Sequence, residues 1–193
     1  MSLRLFPRLV PLVFLALAAC KEDTATLPPP VALTAEAVGH YCQMDLLEHP
    51  GPKAQVHLEG MPYPLFFSQV RDAVAYRQMP EQSHAIVAIY VNDMAAAPSW
   101  EDTGAENWID ANTAVYVTGA AIAGGMGEVD LVPFATIEGA QHFIARHGGT
   151  VLAQRGLPRA DALTSDQDFD ALQDDDAADF LQRMNAAGRM IGG

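Results

Sequence analysis

One ten-residue pattern occurs twice in this chain. Phe67, Val70, Ala73 and Tyr76 are matched 67 positions later by Phe134, Ile137, Ala140 and Phe143. Spacings of i, i+3, i+6 and i+9 put the four on one face of an amphipathic helix, and Ser68 or Thr136 stands where an N-cap is wanted. Strand-like runs flank both copies in the same order. They fall at 55–58 and 64–67 before the first copy and 84–91 after it, then at 113–118 and 131–134 before the second and 150–154 after it. His147-Gly148-Gly149 supplies a glycine stop between the second helix and its last strand. The chain therefore reads as an α+β protein of two similar ββαβ units with antiparallel strands, one over 38–98 and one over 99–158.

The two ends have a different character. Arg4 and Arg8, an apolar run at 9–17 and the sequence Leu17-Ala18-Ala19-Cys20 form a lipoprotein signal over 1–19, too short for a permanent membrane helix. Cleavage leaves Cys20 as the lipidated residue, followed over 20–37 by a polar and then Pro-rich tether. The twenty steps from Cys20 to His40 span at most about 70 Å. At 159–193 the composition turns to Asp, Ala, Ser and Gln, with an Asp174-Asp175-Asp176 run, and reads as an acidic, mobile tail.

Charge narrows the partners. The net charge is −13, and it becomes −15 once the signal's two arginines are removed; Lys21 and Lys53 are the only lysines. A phosphate-binding surface needs clustered Lys and Arg, so nucleic acid is excluded. Phosphate-binding glycine loops and nucleophile-elbow signatures are missing from the sequence. His57, His84, His142 and His147 lack metal-ligand spacing and read as surface or core residues. Met61, Met79 and Met94 read as apolar gap fillers. The Trp100-Glu101 and Trp108-Asp110 pairs read as packing at loop borders.

Sulfur is the unusual feature. The chain has two cysteines, and lipidation of Cys20 leaves Cys42 without an internal disulfide partner in an oxidising compartment. Cys42 and Met44, two apart, project to one side if the segment is extended. His40 and His49 lie to either side of this pair, and Pro50-Gly51-Pro52 forces a turn. Thiolate with thioether suits Cu(I), whereas zinc prefers Cys and His, and hard cations prefer oxygen. Met126, set in Gly124-Gly125-Met126-Gly127, is free to approach a ligand closely. A buried Cys packed beside a core Met, and a turn whose Met covers the core, are the inert alternatives.

Several of these residues together resemble the NosL family of nitrous oxide reductase accessory lipoproteins. They are the lipobox ending in Cys20, Cys42-Gln43-Met44 running into His49-Pro50-Gly51-Pro52, the Gly-Met-Gly loop, and Val132-Pro133-Phe134 … Ala140 … Phe143 … His147-Gly148-Gly149. The resemblance covers His40 to about Gln154. It implies paired ββαβ units and a periplasmic, lipid-anchored copper chaperone rather than an enzyme. Such a chaperone binds one Cu(I) and helps supply the copper-sulfur centre of nitrous oxide reductase, together with a membrane transporter-type assembly complex. Carried over by residue, Cys42 and Met44 match the family's copper motif, Met126 its second methionine, and His49 a motif position whose ligand status stays open. Gln43 stands where many relatives have Gly.

Three other functions compete. A similar fold is shared with organomercurial lyases, but these need a second activated thiol. A copper electron-transfer protein needs a His₂Cys core in a close loop, and here His49 follows Cys42 by seven residues. A purely structural lipoprotein would keep Cys42 packed and inert.

Overall fold

The computed structural model describes residues 27–80, 82–152 and 156–158. The signal at 1–19, Cys20, and the acidic tail at 159–193 lie outside the described residues. Two sheets form, each by the same ββαβ path. The first unit contributes β1 (Ala54–Leu58), β2 (Leu65–Phe67), α1 (Val70–Gln78) and β3 (Ile86–Val91). The second contributes β5 (Val115–Thr118), β6 (Val132–Phe134), α2 (Ile137–His147) and β7 (Thr150–Val151). A two-residue strand, β4 (Ile109–Asp110), lies between them.

Strand order is β2-β1-β3-β4 in one sheet and β6-β5-β7 in the other. All pairs are antiparallel. In both units the first strand takes the centre, with its hairpin partner on one side and the strand after the helix on the other. The α+β reading with paired ββαβ units thus holds.

Details of the repeat differ from the expectation. Phe67 and Phe134 end strands, and the helices start three residues later, at Val70 and Ile137. The recurring aromatic therefore marks the strand-to-helix corner, while Ala73 and Tyr76, or Ala140 and Phe143, form the buried helix face. No strand is assigned from the sequence at β4, where the Trp108-Asp110 pair reads as packing at a loop border. Its two residues pair with Tyr90 and Val91, so a segment from beyond residue 98 completes the first sheet.

β5 binds the two cores together. Val115 and Val117 face α2, with Phe134, Ala140 and Phe143. Tyr116, on the opposite face, enters the first core with Val56, Phe67, Val74 and Val91, and its hydroxyl donates to Ala111 O at 2.9 Å. Alternating side chains of one strand thus serve two hydrophobic clusters, which explains why its first three residues are all buried.

β1 is also buried on both faces. Ala54, Val56 and Leu58 meet α1. Gln55 and His57 point the other way, His57 against Tyr90 and Gln55 against a strap from residues 27–37, the second part of the expected tether. The Gln55 side chain pairs with the main chain of Val31, accepting from its N–H at 2.8 Å and donating to its carbonyl at 3.0 Å. Tyr90 Oη donates to Pro28 O at 2.7 Å, and Leu33 N donates to Ala105 O at 2.9 Å. Leu33, Ala37 and Leu46 then form a small cluster of their own, lined by Phe66 and Trp108. This strap is part of the folded body.

Gln55→Ala removes the side-chain partners of Val31 and His57, three hydrogen bonds in all. At about 1 kcal/mol each, the net loss after relaxation is about 2 kcal/mol in urea unfolding. The Val31 amide should exchange much faster. Unchanged exchange at Val31 would show that the strap is held by other means.

Candidate metal site

The loop carrying Cys42 is a tight reversal. Val38 and Asp45 form an antiparallel bridge, Gly39 N donates to Met44 O at 3.0 Å, and Gln43 N donates to Gly39 O at 2.9 Å. The segment is not extended, so the expected strand-like alternation of Cys42 and Met44 does not apply. Gln43 has φ +56°, the only positive value at a non-glycine among the described residues. This is the position where the family resemblance leads one to expect glycine. The Gln43 side-chain amide offsets the strain by donating to Gly39 O at 3.2 Å and His40 O at 2.7 Å. Gly39 has its own reason to be glycine, because a Cβ there would run into Cys42 Sγ.

A single 3-10 turn, Leu46–Glu48, capped by the Asp45 side chain on Leu47 N at 2.9 Å, delivers the chain to His49. His49 is 9% exposed. Its Nδ1 lies 2.8 Å from Gly125 O. A carbonyl only accepts, so Nδ1 is the donor here, and in the neutral ring Nε2 is the nitrogen that carries the lone pair. Nε2 lies 4.0 Å from Cys42 Sγ. With metal–sulfur and metal–nitrogen bonds of about 2.3 and 2.05 Å, that separation corresponds to one shared ion at an S–metal–N angle of about 135°.

Met126 sits near the tip of a hairpin from the second unit. Ala123 bridges Val129, Gly124 N donates to Glu128 O at 2.7 Å, and Gly127 N donates to Gly124 O at 2.9 Å. Gly125 packs directly on the first unit, since an added Cβ would stand 2.5 Å from Ser68 O and 3.2 Å from both His49 Cβ and Pro50 O. The glycine that flanks Met126 is thus needed for contact with the histidine, and its carbonyl fixes that histidine's tautomer. Met44 and Met126 are 43% and 45% exposed.

Two buried ionisable side chains hold this junction, and neither was picked out from the sequence. Lys53 is 1% exposed, and its ammonium donates to His49 O at 2.8 Å and Gly51 O at 3.0 Å, clamping the turn behind the histidine. Burial pushes its pKa down to about 8, against the pull of Asp102 and Asp130. A lysine directly after Pro-Gly-Pro and before an apolar strand, in a chain with one other lysine, was the available signal.

Asp130, at the foot of the hairpin, caps α1 from 60 residues away. It accepts from Val70 N at 3.1 Å, Arg71 N at 3.0 Å and Leu131 N at 2.7 Å. Gln69 occupies the N-cap position without a side-chain cap bond, so the expected cap by Ser68 is replaced by this distant carboxylate. Thr136 caps α2 as expected, accepting from Gly139 N at 3.2 Å. Arg71 adds a salt bridge to Glu128 at 2.9 Å.

Among the described residues, no group of three or more His, Cys, Asp or Glu side chains is arranged to hold a metal ion. Of the candidate donors, Cys42 Sγ and His49 Nε2 come within 4.0 Å of each other, while Met44 and Met126 are exposed. Met94 packs against the second core, whereas Met61 and Met79 are exposed, the latter accepting from Tyr41 Oη at 3.4 Å. His57 is hydrogen-bonded to Gln55, and His147 packs on Phe143 with ring centroids 4.7 Å apart.

A NosL family profile matches residues 30–162. The chain belongs to the NosL family. A copper-binding lipoprotein NosL from Achromobacter cycloclastes is 51% identical over 178 residues, which is 92% of each chain. A copper-binding lipoprotein NosL from Stutzerimonas stutzeri is 32% identical over 141 residues, or 72% of each. The crystal structure of the copper chaperone NosL from Shewanella denitrificans superposes with a TM-score of 0.59 at 30% identity, covering 65% of this chain and 93% of that one. These names describe metal carriers and not enzymes, in line with the reading from the sequence.

Two predictions follow from the geometry. Gln43→Gly relieves about 1–2 kcal/mol of left-handed strain while losing two side-chain hydrogen bonds of similar worth, so its melting temperature should stay close to wild type. Gln43→Ala loses the bonds and keeps the strain, and should melt lower. Equal melting of the two variants would contradict this balance.

The Asp130 carboxyl is pushed up to about 7 by burial, with its three backbone N–H partners pulling the other way. A pKa raised in the folded state means that folding favours the protonated form. That contribution is complete below the ordinary carboxylate range and is lost as pH rises toward 7 and beyond. Urea unfolding should therefore show stability falling from pH 4.5 to 7.5, with a flatter profile in Asp130→Asn; identical slopes would refute it.

Proposed function

We propose that this chain is a periplasmic, lipid-anchored copper chaperone that binds one Cu(I) through Cys42, Met44 and Met126, with His49 Nε2 as a further donor. The observation that supports this best is the 4.0 Å approach of Cys42 Sγ to a histidine nitrogen whose other ring nitrogen is tied to Gly125 O, next to Met126. Fixing the tautomer of a ligating imidazole through its second nitrogen is the usual role of an outer-shell partner.

The donor chemistry selects the ion. A thiolate and thioethers are soft and favour Cu(I) over hard cations. With no His/Cys/Asp/Glu trio among the described residues, an ion at Cys42 and His49 draws its remaining ligands from methionine. The thiolate supplies charge and retention. The neutral thioethers, already exposed, give way one at a time to a receiving protein's donors, so the ion passes without being free in solution.

The recipient, on the family resemblance, is the assembly path of the copper-sulfur centre of nitrous oxide reductase, including a membrane transporter-type complex. Cys20 carries the lipid that keeps the chaperone at that membrane, as the name lipoprotein in both relatives supports. An organomercurial-lyase chemistry lacks its second thiol, because Cys42 is the one free cysteine among the described residues.

An anaerobic Cu(I) titration of the full-length protein in detergent micelles, against a competing chelator, tests the assignment. One ion per chain is expected, with Cys42 becoming unreactive to thiol reagents. Cys42→Ala should abolish tight binding, and Met44→Ala, Met126→Ala and His49→Ala should each weaken it by about 10- to 100-fold. Unchanged affinity in all four would overturn the site.

A further inference from the structure

The His49 turn and the Met126 hairpin come from different units, and one residue hydrogen-bonds both. Trp100 O accepts from Gly51 N at 2.6 Å, gripping the turn that follows His49. The same residue's indole Nε1–H donates to Ala123 O at 3.0 Å, gripping the base of the Met126 hairpin. A Cβ added to Gly51 would lie 3.0 Å from Trp100 Cζ2 and 3.6 Å from Gly124 Cα, so the indole edge, the turn and the hairpin meet at one point. The ring is fixed from behind by stacking on Phe143, with centroids 6.0 Å apart and planes 23° apart, and Phe143 belongs to the second core.

The Ser99 hydroxyl accepts from Glu101 N at 3.1 Å and Asp102 N at 3.0 Å, which holds the loop that presents Trp100. Lys53 clamps only the histidine side, and Asp130 reaches the hairpin's foot but not the turn. Trp100 reaches both through one residue.

On this basis we propose that Trp100 is a positioning residue for the metal centre, setting the distance between the His49 turn and the Met126 hairpin. The inference rests on the ligand reading above. Trp100 touches neither donor atom and acts through the hairpin.

The test is a double-mutant cycle in the full-length protein in detergent micelles, titrated with Cu(I). Trp100→Phe keeps the main-chain carbonyl and an aromatic ring against Phe143 but removes the indole N–H. It should weaken Cu(I) binding about tenfold. The double variant Trp100→Phe/Met126→Ala should lose less than the sum of the two single losses, because the hairpin then has no donor of its own left to position and only Gly125 O still acts on His49. Fully additive losses, or an unchanged affinity in Trp100→Phe, would overturn the proposal.

A second readout needs no metal. In the apo protein, amides of the hairpin at 124–128 should exchange faster in Trp100→Phe, and unchanged exchange there would also overturn it. Should Met126→Ala alone leave affinity intact, the methionine ligand fails while the exchange result still decides the role of Trp100. Benzothienylalanine at position 100, which replaces the N–H by sulfur in the same shape, gives the same comparison if Trp100→Phe does not fold.

Discussion

The carboxylate of Asp130 accepts three backbone N–H groups, two of which open the helix of the other unit. Without it, α1 would begin with unpaired donors in a buried position, at a cost of about 1 kcal/mol or more for each. Its effect reaches further than the helix. Because Asp130 ends the hairpin that carries Met126, satisfying α1 also seats that hairpin against Ser68 and His49. The placement of the Met126 loop is thereby tied to the folding of the first unit.

Much of the architecture was legible because its causes are local. Helix periodicity, the glycine stop after His147 and the Thr136 cap act within a few residues, and two copies of one pattern gave each other support. Phe67 and Phe134 were placed on the helix face because a strand-to-helix corner has no periodicity of its own. β4 was invisible for a related reason: two residues carry no alternation, and they pair only because β3 presents a free edge. The Asp130 cap shows the limit most clearly, since a neighbouring Ser68 satisfied every local criterion and was displaced by a carboxylate 60 residues away.

The candidate donors Cys42, Met44, Met126 and His49 came from residue chemistry together with the family resemblance, and of these the structure brings Cys42 and His49 within 4.0 Å of each other. What could not be read was the tautomer, which is set by a carbonyl 76 residues distant. Nor could spacing reveal Gly39 or Lys53, whose roles are to make room for a sulfur and to hold a turn from within. These supporting residues are hydrogen-bonded or close-packed, whereas the two thioethers stand exposed. The packed, hydrogen-bonded surroundings thus lie behind the thiol and the imidazole and not behind the two methionines.

The strap changes what the lipid anchor does. With Pro28 held by Tyr90, only eight residue steps separate Cys20 from the folded body, a span of at most about 28 Å whatever path they take. A chaperone moored so closely cannot patrol a wide volume. Under the proposed anchoring at Cys20 it would work in a thin layer over the bilayer, where a membrane-borne recipient would meet it at an effective concentration in the millimolar range. Under that condition a weak, quickly released encounter is sufficient for transfer, and a tight complex would only slow the turnover of cargo.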